Sequence, residues 1–329
     1  LSTGAGASDL LHAEDTGVDA IVAGKAPVAA KSPLQLFWRR FRKDKVALAA
    51  GIFIVVLIAA AILAEPIRKL VGAPPPNEQS TETLDSFGLP SGPSSEHIFG
   101  VDSLGRDIFS RVLAGAQVSL TVAFIGTGLS VLLGVVFGMV AGFYRGWVDT
   151  AIARTIDVLL AFPVLLLGLG IASACSTQEG CVGGLVQPGM TVVLTIIVIA
   201  NWPYVARIIR GQVLSLREKE FVEAAKSLGA SNTRILFREV LPNLVAPIIV
   251  YATLFIPANI LLEASLSFLG VGVQPPQASW GSMLSDASVI VESAWWYMLF
   301  PGLALLLTVL AFNLVGDGMQ DALNPKRSR

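Results

Sequence analysis

Charge is what this chain has least of: Asp, Glu, Lys and Arg make up 14% of its 329 residues, against roughly 25% in a typical soluble domain. Hydrophobic residues reach 53% and mean hydropathy is +0.69, which excludes a water-soluble globule and implies an integral membrane protein. Aromatics are sparse at 8%, so the interfacial girdles of an outer-membrane barrel are missing. There are two histidines, His12 and His97, and two cysteines, Cys175 and Cys181. They are not spaced as a zinc site, and no metal centre is expected. The sequence also lacks a Gly-x-x-x-x-Gly-Lys-Ser/Thr stretch. Without that phosphate-cradling loop the chain is not an ATPase, and no catalytic constellation is present.

What is abundant is apolar length and small residues. Six runs of about twenty apolar residues read as membrane spans, at about 46–64, 118–141, 148–172, 189–205, 244–270 and 297–315. The fold class is therefore all-α and polytopic, with six transmembrane helices. Lys and Arg set the orientation. With the N-terminus inside, 7 lie in 25–45, 2 at Arg145 and Arg154, 7 from Arg207 to Arg238 and 3 in the C-terminal tail, against 4 outside (Arg68, Lys69, Arg106, Arg111). Both termini are thus expected in the cytoplasm.

The expected organisation is a cytoplasmic tail with an interfacial helix (1–45), the first span (46–64), an extracytoplasmic subdomain (65–117), a five-helix core (118–318) and a short cytoplasmic tail (319–329). Residues 1–30 read as a disordered tail, retained because the first apolar run lies too far along to be a signal peptide. Residues 34–43 alternate apolar and basic side chains, which fits a helix on the anionic inner leaflet or a simple positive stop. The 65–117 connection is too long for an ordinary loop, and its 102–111 stretch reads as a capped amphipathic helix leading into span two. It is either a contact surface for an external partner or a solvated cap.

Within the spans, Gly126, Ser130, Gly134, Gly138 and Gly142 recur at every fourth position. They share one helix face and make a close-packing interface in lipid, with a neighbour in this chain or another. Asp157 follows Arg154 by one turn, and the two are expected to neutralise each other. Glu263 has no charged neighbour within a turn; it reads as facing a polar cavity or a partner, a candidate for a translocation path. Cys175 and Cys181 lie in a short outer loop where a disulfide can form, the alternative being a two-thiol metal site.

The polar insert between spans four and five, 207–243, is the candidate functional element. Phe221, Val222, Ala225 and Leu228 stand at helical spacing among Glu218, Lys219, Glu220, Glu223 and Lys226. Gly229 suits the left-handed end of that helix, Ser231 or Asn232 can cap the next, and Pro242 limits or kinks it. A helix, a tight turn and a second helix result. A DNA-binding helix-turn-helix has the same local shape, but the three-helix core it needs is absent.

Glu223-Ala224-Ala225, then Gly229, then Leu241-Pro242, is similar to the EAA signature of ABC importer membrane subunits. Gly100-Val101-Asp102-Ser103-Leu104-Gly105-Arg106-Asp107, Leu266-Ser267-Phe268-Leu269-Gly270-Val271-Gly272, Ser279-Trp280-Gly281 and Gly316-Asp317 look like the "C" permease of the dipeptide/oligopeptide/nickel branch. The resemblance, over about 35–326, implies a type I ABC importer permease fold in a bacterial plasma (inner) membrane. It also implies a homologous second permease, two cytoplasmic ATPases carrying ATP and Mg, an extracytoplasmic solute-binding protein and no cofactor in this chain. Under it, Phe221, Glu223, Ala224, Ala225, Leu228 and Gly229 couple to the ATPase, with Glu218, Lys219, Lys226 and Glu239 as rim contacts. Glu239 departs from the pattern, standing where the branch commonly has His; an acid there prefers a basic partner. Di- or oligopeptide import is the main expectation. A nickel-chelate or glutathione permease of the same branch, or an ion-driven secondary transporter with inverted repeats and broken helices, are the alternatives.

Overall fold

The computed structural model describes residues 33–177 and 180–323; the tail read as disordered and the last six residues lie outside them. Among the described residues helices are joined by turns, with isolated bridges (Leu84 to Pro90, Val101 to Asp107, Cys181 to Val186) in place of any strand. Helix α1 (Pro33–Phe41) stacks its Phe37 and Phe41 rings 5.9 Å apart, while the Arg42 guanidinium sits 4.9 Å over the half-exposed Trp38 ring. Asp44 ends it and caps α2 (Lys45–Ile62), its Oδ1 accepting from the Val46 and Ala47 N–H groups at 3.0 Å. A short helix α3 (Ala64–Val71) follows and stops at Gly72, which is left-handed.

Besides α2, four helices are long and apolar enough to cross a membrane: α4 (Ile108–Tyr144), α7 (Met190–Leu216), α9 (Asn232–Phe268) and α11 (Trp295–Leu323). The sixth expected span is not one helix. It is α5 (Gly146–Leu160) and α6 (Val164–Ala174), bent by 88° at the break. Pro163 causes this: it has no N–H to continue α5, and its ring pushes Phe162 out of the helical region. The continuous 148–172 span expected from hydropathy is corrected accordingly.

Two other boundaries move. The 102–111 stretch is mostly a tight turn, and α4 starts only at Ile108, with Asp107 Oδ1 accepting from Ser110 N at 2.8 Å. From there α4 runs unbroken for 37 residues, about 55 Å at 1.5 Å per residue, because nothing after Ile108 interrupts it. The expected subdomain boundary at 117 thus falls inside a helix, and at the other end α11 continues through 319–323.

The small-residue face of α4 meets α7 of the same chain. A Cβ on Gly126 would stand 2.7 Å from Ile197 Cγ2, one on Gly138 2.7 Å from the Ala206 carbonyl and one on Gly142 2.8 Å from Val213 Cβ; at Gly134 it would overlap Val205. The two backbones therefore approach as closely as lipid-embedded helices can, which is where much of their attraction arises. Buried amides bridge the same helices to α9, Asn201 Nδ2 donating to Asn259 Oδ1 and Asn259 Nδ2 to Thr127 Oγ1, both at 2.8 Å.

The 65–107 segment folds back on α10 (Trp280–Ser288) and α11. Phe99 stacks on Phe300 at 3.9 Å, and Trp296 Nε1 donates to the Val101 carbonyl at 3.3 Å. Around Asp102 its charges are buried, while Glu78, Glu82, Asp85 and Glu96 are exposed. Asp102, fully enclosed, accepts from the Leu104 and Arg106 N–H groups and from Arg106 Nε at 2.7 Å, with Arg111 Nε 3.5 Å away. His97 Nδ1 lies 2.9 Å from Asp107 Oδ2. Across the same end of the bundle Cys175 and Cys181 form a disulfide.

Candidate functional site

The polar insert is built on the other end of the bundle, where α4 and α7 finish. Arg217, just past α7, donates from Nη1 to the Phe143 carbonyl and lies 5.9 Å from the Phe143 ring. Glu218 is held at 2.6 Å by Arg145, and Arg210 makes a two-pronged contact with Asp149 of α5. These pairs fix the direction in which the chain leaves the membrane region. Helix α8 (Glu220–Ser227) then forms, with Glu220 and Glu223 in its first turn and Lys226 in its last, each sign at the dipole end that favours it.

The turn after α8 is a Schellman motif. Gly229 N donates to Lys226 O at 2.9 Å and Ala230 N to Ala225 O at 3.0 Å, with Gly229 at φ +77°. A Cβ on Gly229 would touch nothing, so glycine is required there by the backbone alone. Ser231 Oγ then accepts from Arg234 N at 3.4 Å and starts α9. Pro242, expected to limit or kink this second helix, does not end it. The Ile235–Val240 stretch is π-helical, with Leu241 N bonded to Leu236 O, and this wider turn carries the helix past Pro242, which has no N–H to give. Asn243 Nδ2 donates to the Glu239 carbonyl at 2.6 Å. The second helix of the turn and the fifth span are one rod of 37 residues.

One residue seats α8 on the bundle. Val222 is fully buried and joins Phe143 of α4, Val213 of α7, and Ile235, Leu236 and Val240 of α9 in a single cluster, with Ala225 half-buried beside it. The opposite surface is open: Phe221 is 38% and Leu228 88% exposed, and Glu223, Ala224, Lys219, Lys226 and Gly229 are exposed with them. The structure thus places Phe221, Glu223, Ala224, Leu228 and Gly229 on one surface, with Glu218 at its edge and Glu239 half-buried on α9. Two apolar side chains facing water next to charged neighbours form a patch suited to docking another protein. The seat Val222 was not separable from Phe221 by periodicity, since the two are adjacent in an eight-residue helix.

Other sequence expectations land elsewhere. Asp157 lies 2.8 Å from Arg207 of α7 and 3.6 Å from Arg154, so its closer partner is on the helix alongside α5 rather than one turn back. Glu263 faces no open cavity. It is fully buried and accepts from Ser119 Oγ and Ser267 Oγ at 2.8 Å, tying α9 to α4, while Ser267 Oγ also accepts from Val273 N. Trp280, equally buried, donates from Nε1 to Val112 O at 3.1 Å. The Leu266–Gly272 and Ser279–Gly281 motifs therefore serve packing around this carboxyl. Among the described residues no cluster of three or more His, Cys, Asp or Glu is placed to hold a metal.

Comparison with known proteins bears on the whole chain. Residues 134–329 match the family described as binding-protein-dependent transport system inner membrane component, and residues 32–84 match the N-terminal TM domain of oligopeptide transport permease C. The chain is 41% identical over 296 residues to the glutathione transport system permease protein GsiD of Pectobacterium atrosepticum, covering 90% of this chain and 92% of the relative. It is 41% identical over 297 residues to the dipeptide transport system permease protein DppC of Alkalihalophilus pseudofirmus, covering 90% and 91%. It is 43% identical over 300 residues to GsiD of Escherichia coli O157:H7, covering 91% and 93%. In fold it is similar to the inward-facing MetNI methionine ABC transporter, with a TM-score of 0.53 at 15% identity over 65% of this chain and 96% of that one.

Proposed function

The chain belongs to the binding-protein-dependent transport system inner membrane component family, and we propose that it translocates di- or oligopeptides across the inner membrane. As the membrane-spanning permease of an ABC importer it works with a substrate-binding protein and a separate ATPase, and it is not itself the enzyme. In the proposed complex a homologous second permease completes the path and two ATPases, holding ATP and Mg, dock on the cytoplasmic side. Both termini lie on that side, as the Lys and Arg distribution requires. The 65–107 segment and the disulfide loop face outward, toward the loaded binding protein.

The observation that carries this reading is the α8 turn. It is seated by Val222 with Ala225 beside it, presents Phe221 and Leu228 to solvent, and leads through the Gly229 turn into a helix that crosses the bundle to Glu263. A push on α8 passes through the Gly229 turn and along α9, past its π-helical turns and Pro247 and Pro257, to the outward end. Hydrolysis then alternates the permease pair between outward- and inward-facing states. Glutathione, itself a peptide, is the second reading, favoured by the glutathione permeases among the relatives. The test is ATP hydrolysis by the reconstituted complex, stimulated in turn by its binding protein loaded with dipeptides, longer peptides, glutathione or a nickel chelate. Peptides are expected to stimulate most; a response to the chelate alone would refute the peptide assignment.

A further inference from the structure

Backbone that crosses the hydrocarbon region must have its N–H and C=O groups bonded, or be buried in protein, or face water. The elbow between α5 and α6 has them free. Among the described residues no hydrogen bond reaches the carbonyls of Leu160, Ala161 or Phe162, and none leaves the N–H groups of Val164, Leu165 or Leu166. Residues 161–166 are all exposed. The elbow is also deep. It shares a cavity of about 350 Å³ with Ala200 and Tyr204 of α7, which lie about 15 and 21 Å along that helix from its Met190 end at 1.5 Å per residue. Counted from that end, they lie half to about two-thirds of the way through a hydrocarbon core about 30 Å thick. Tyr204 is 50% exposed and its hydroxyl makes no hydrogen bond among the described residues.

Lipid cannot cover six unbonded backbone groups at this depth, since each would cost several kcal/mol. We infer that the α5–α6 elbow faces the water-filled path and is a contact site for the peptide cargo in transit. The free carbonyls accept from peptide N–H groups and from an N-terminal ammonium. The free N–H groups and the Tyr204 hydroxyl donate to peptide carbonyls. Such contacts ignore side chains, which suits a carrier of varied peptides, and Phe162, Val164 and Leu167 supply apolar walls for whatever side chains pass. The nature of the cargo here rests on the peptide reading above; the position of the elbow on the path does not.

The test is thiol labelling of the assembled transporter in membrane vesicles by a positively charged methanethiosulfonate. The two native cysteines are bonded to each other, so the parent chain is the blank. Ala161→Cys is expected to react at least about tenfold faster than Val55→Cys, a 67% exposed site on α2, because a charged reagent is excluded from lipid. The cargo that best stimulates ATP hydrolysis is expected to slow the reaction at Ala161→Cys severalfold. A rate equal to that of Val55→Cys would overturn the inference and place the elbow against lipid or a dry subunit contact. Phe162→Cys replaces Ala161→Cys if that variant does not assemble. A wrong cargo would show in the ATPase ranking and leave the difference in labelling rates intact, so the two failures are distinguishable.

Discussion

Two glycine turns lie at opposite ends of this apolar bundle, one at Gly105 and one at Gly229, and the charges around them are treated in opposite ways. The turn at Gly105 and the start of α4 bury theirs: Asp102, Arg106, Asp107 and Arg111 are all at most 7% exposed, and Asp102 accepts from Arg106 at 2.7 Å, although Glu78, Glu82, Asp85 and Glu96 elsewhere in 65–107 are exposed. The α8 turn buries one valine and leaves its charges in water. The first turn is closed against its own chain by Phe99, Trp296 and the Asp102 network, although Leu70 and Phe87 earlier in the same segment are 88% and 89% exposed. The second is incomplete, with Leu228 88% exposed beside a glycine turn.

The sharpest way to break the contrast is to remove the buried anion. Asp102→Ala removes the buried anion shared by Arg106 and Arg111, leaving Arg106 only the half-exposed Asp286 at 3.8 Å, and is expected to cost about 3–5 kcal/mol, read as loss of stability to denaturant in detergent. Next come the two left-handed glycines, which separate the ends directly. Gly105→Ala is strained by its φ of +71° and also drives a Cβ onto the Ser80 carbonyl, so it is expected to cost more than the about 1–2 kcal/mol that a left-handed conformation imposes by itself. Gly229→Ala, at φ +77° in open space, is expected to show only that smaller cost. Equal losses at the two glycines would mean that the outer turn is no more tightly enclosed than the α8 turn. Val222→Ala is expected to cost about 2 kcal/mol from lost burial and the cavity left. Its effect falls on proteolytic protection of α8 before it reaches the global midpoint.

Much of this was legible in the sequence, for physical reasons that also mark where reading stops. Apolar length gave five of the helices because about 20 residues are needed to span lipid whatever they pack against. The every-fourth small residues of α4 were readable as an interface because backbone contact demands them, but only packing identified α7 as the neighbour. The turn at Gly229 was visible since a positive φ narrows the choice to glycine. The bend at Pro163 was missed as an 88° break because proline within a span can equally produce a mild kink, as Pro203 shows inside the unbroken α7. The bonds of Glu263 were not legible because its partners, Ser119 on another helix and Ser267 one turn on, carry no charge to advertise them. The continuity of α9 through Pro242 was hidden for a similar reason: the π-helical turn that permits it has no sequence signature.

The coupling role of the exposed α8 surface is tested most directly by Phe221→Ala combined with Leu228→Ala in the reconstituted complex, measuring uptake and binding-protein-stimulated ATP hydrolysis together. Leu228 is 88% and Phe221 38% exposed, so stability is expected to fall by no more than about 1–2 kcal/mol, while uptake falls to background and hydrolysis no longer responds to the loaded binding protein. Normal uptake with normal stimulation in a correctly assembled variant would contradict the account.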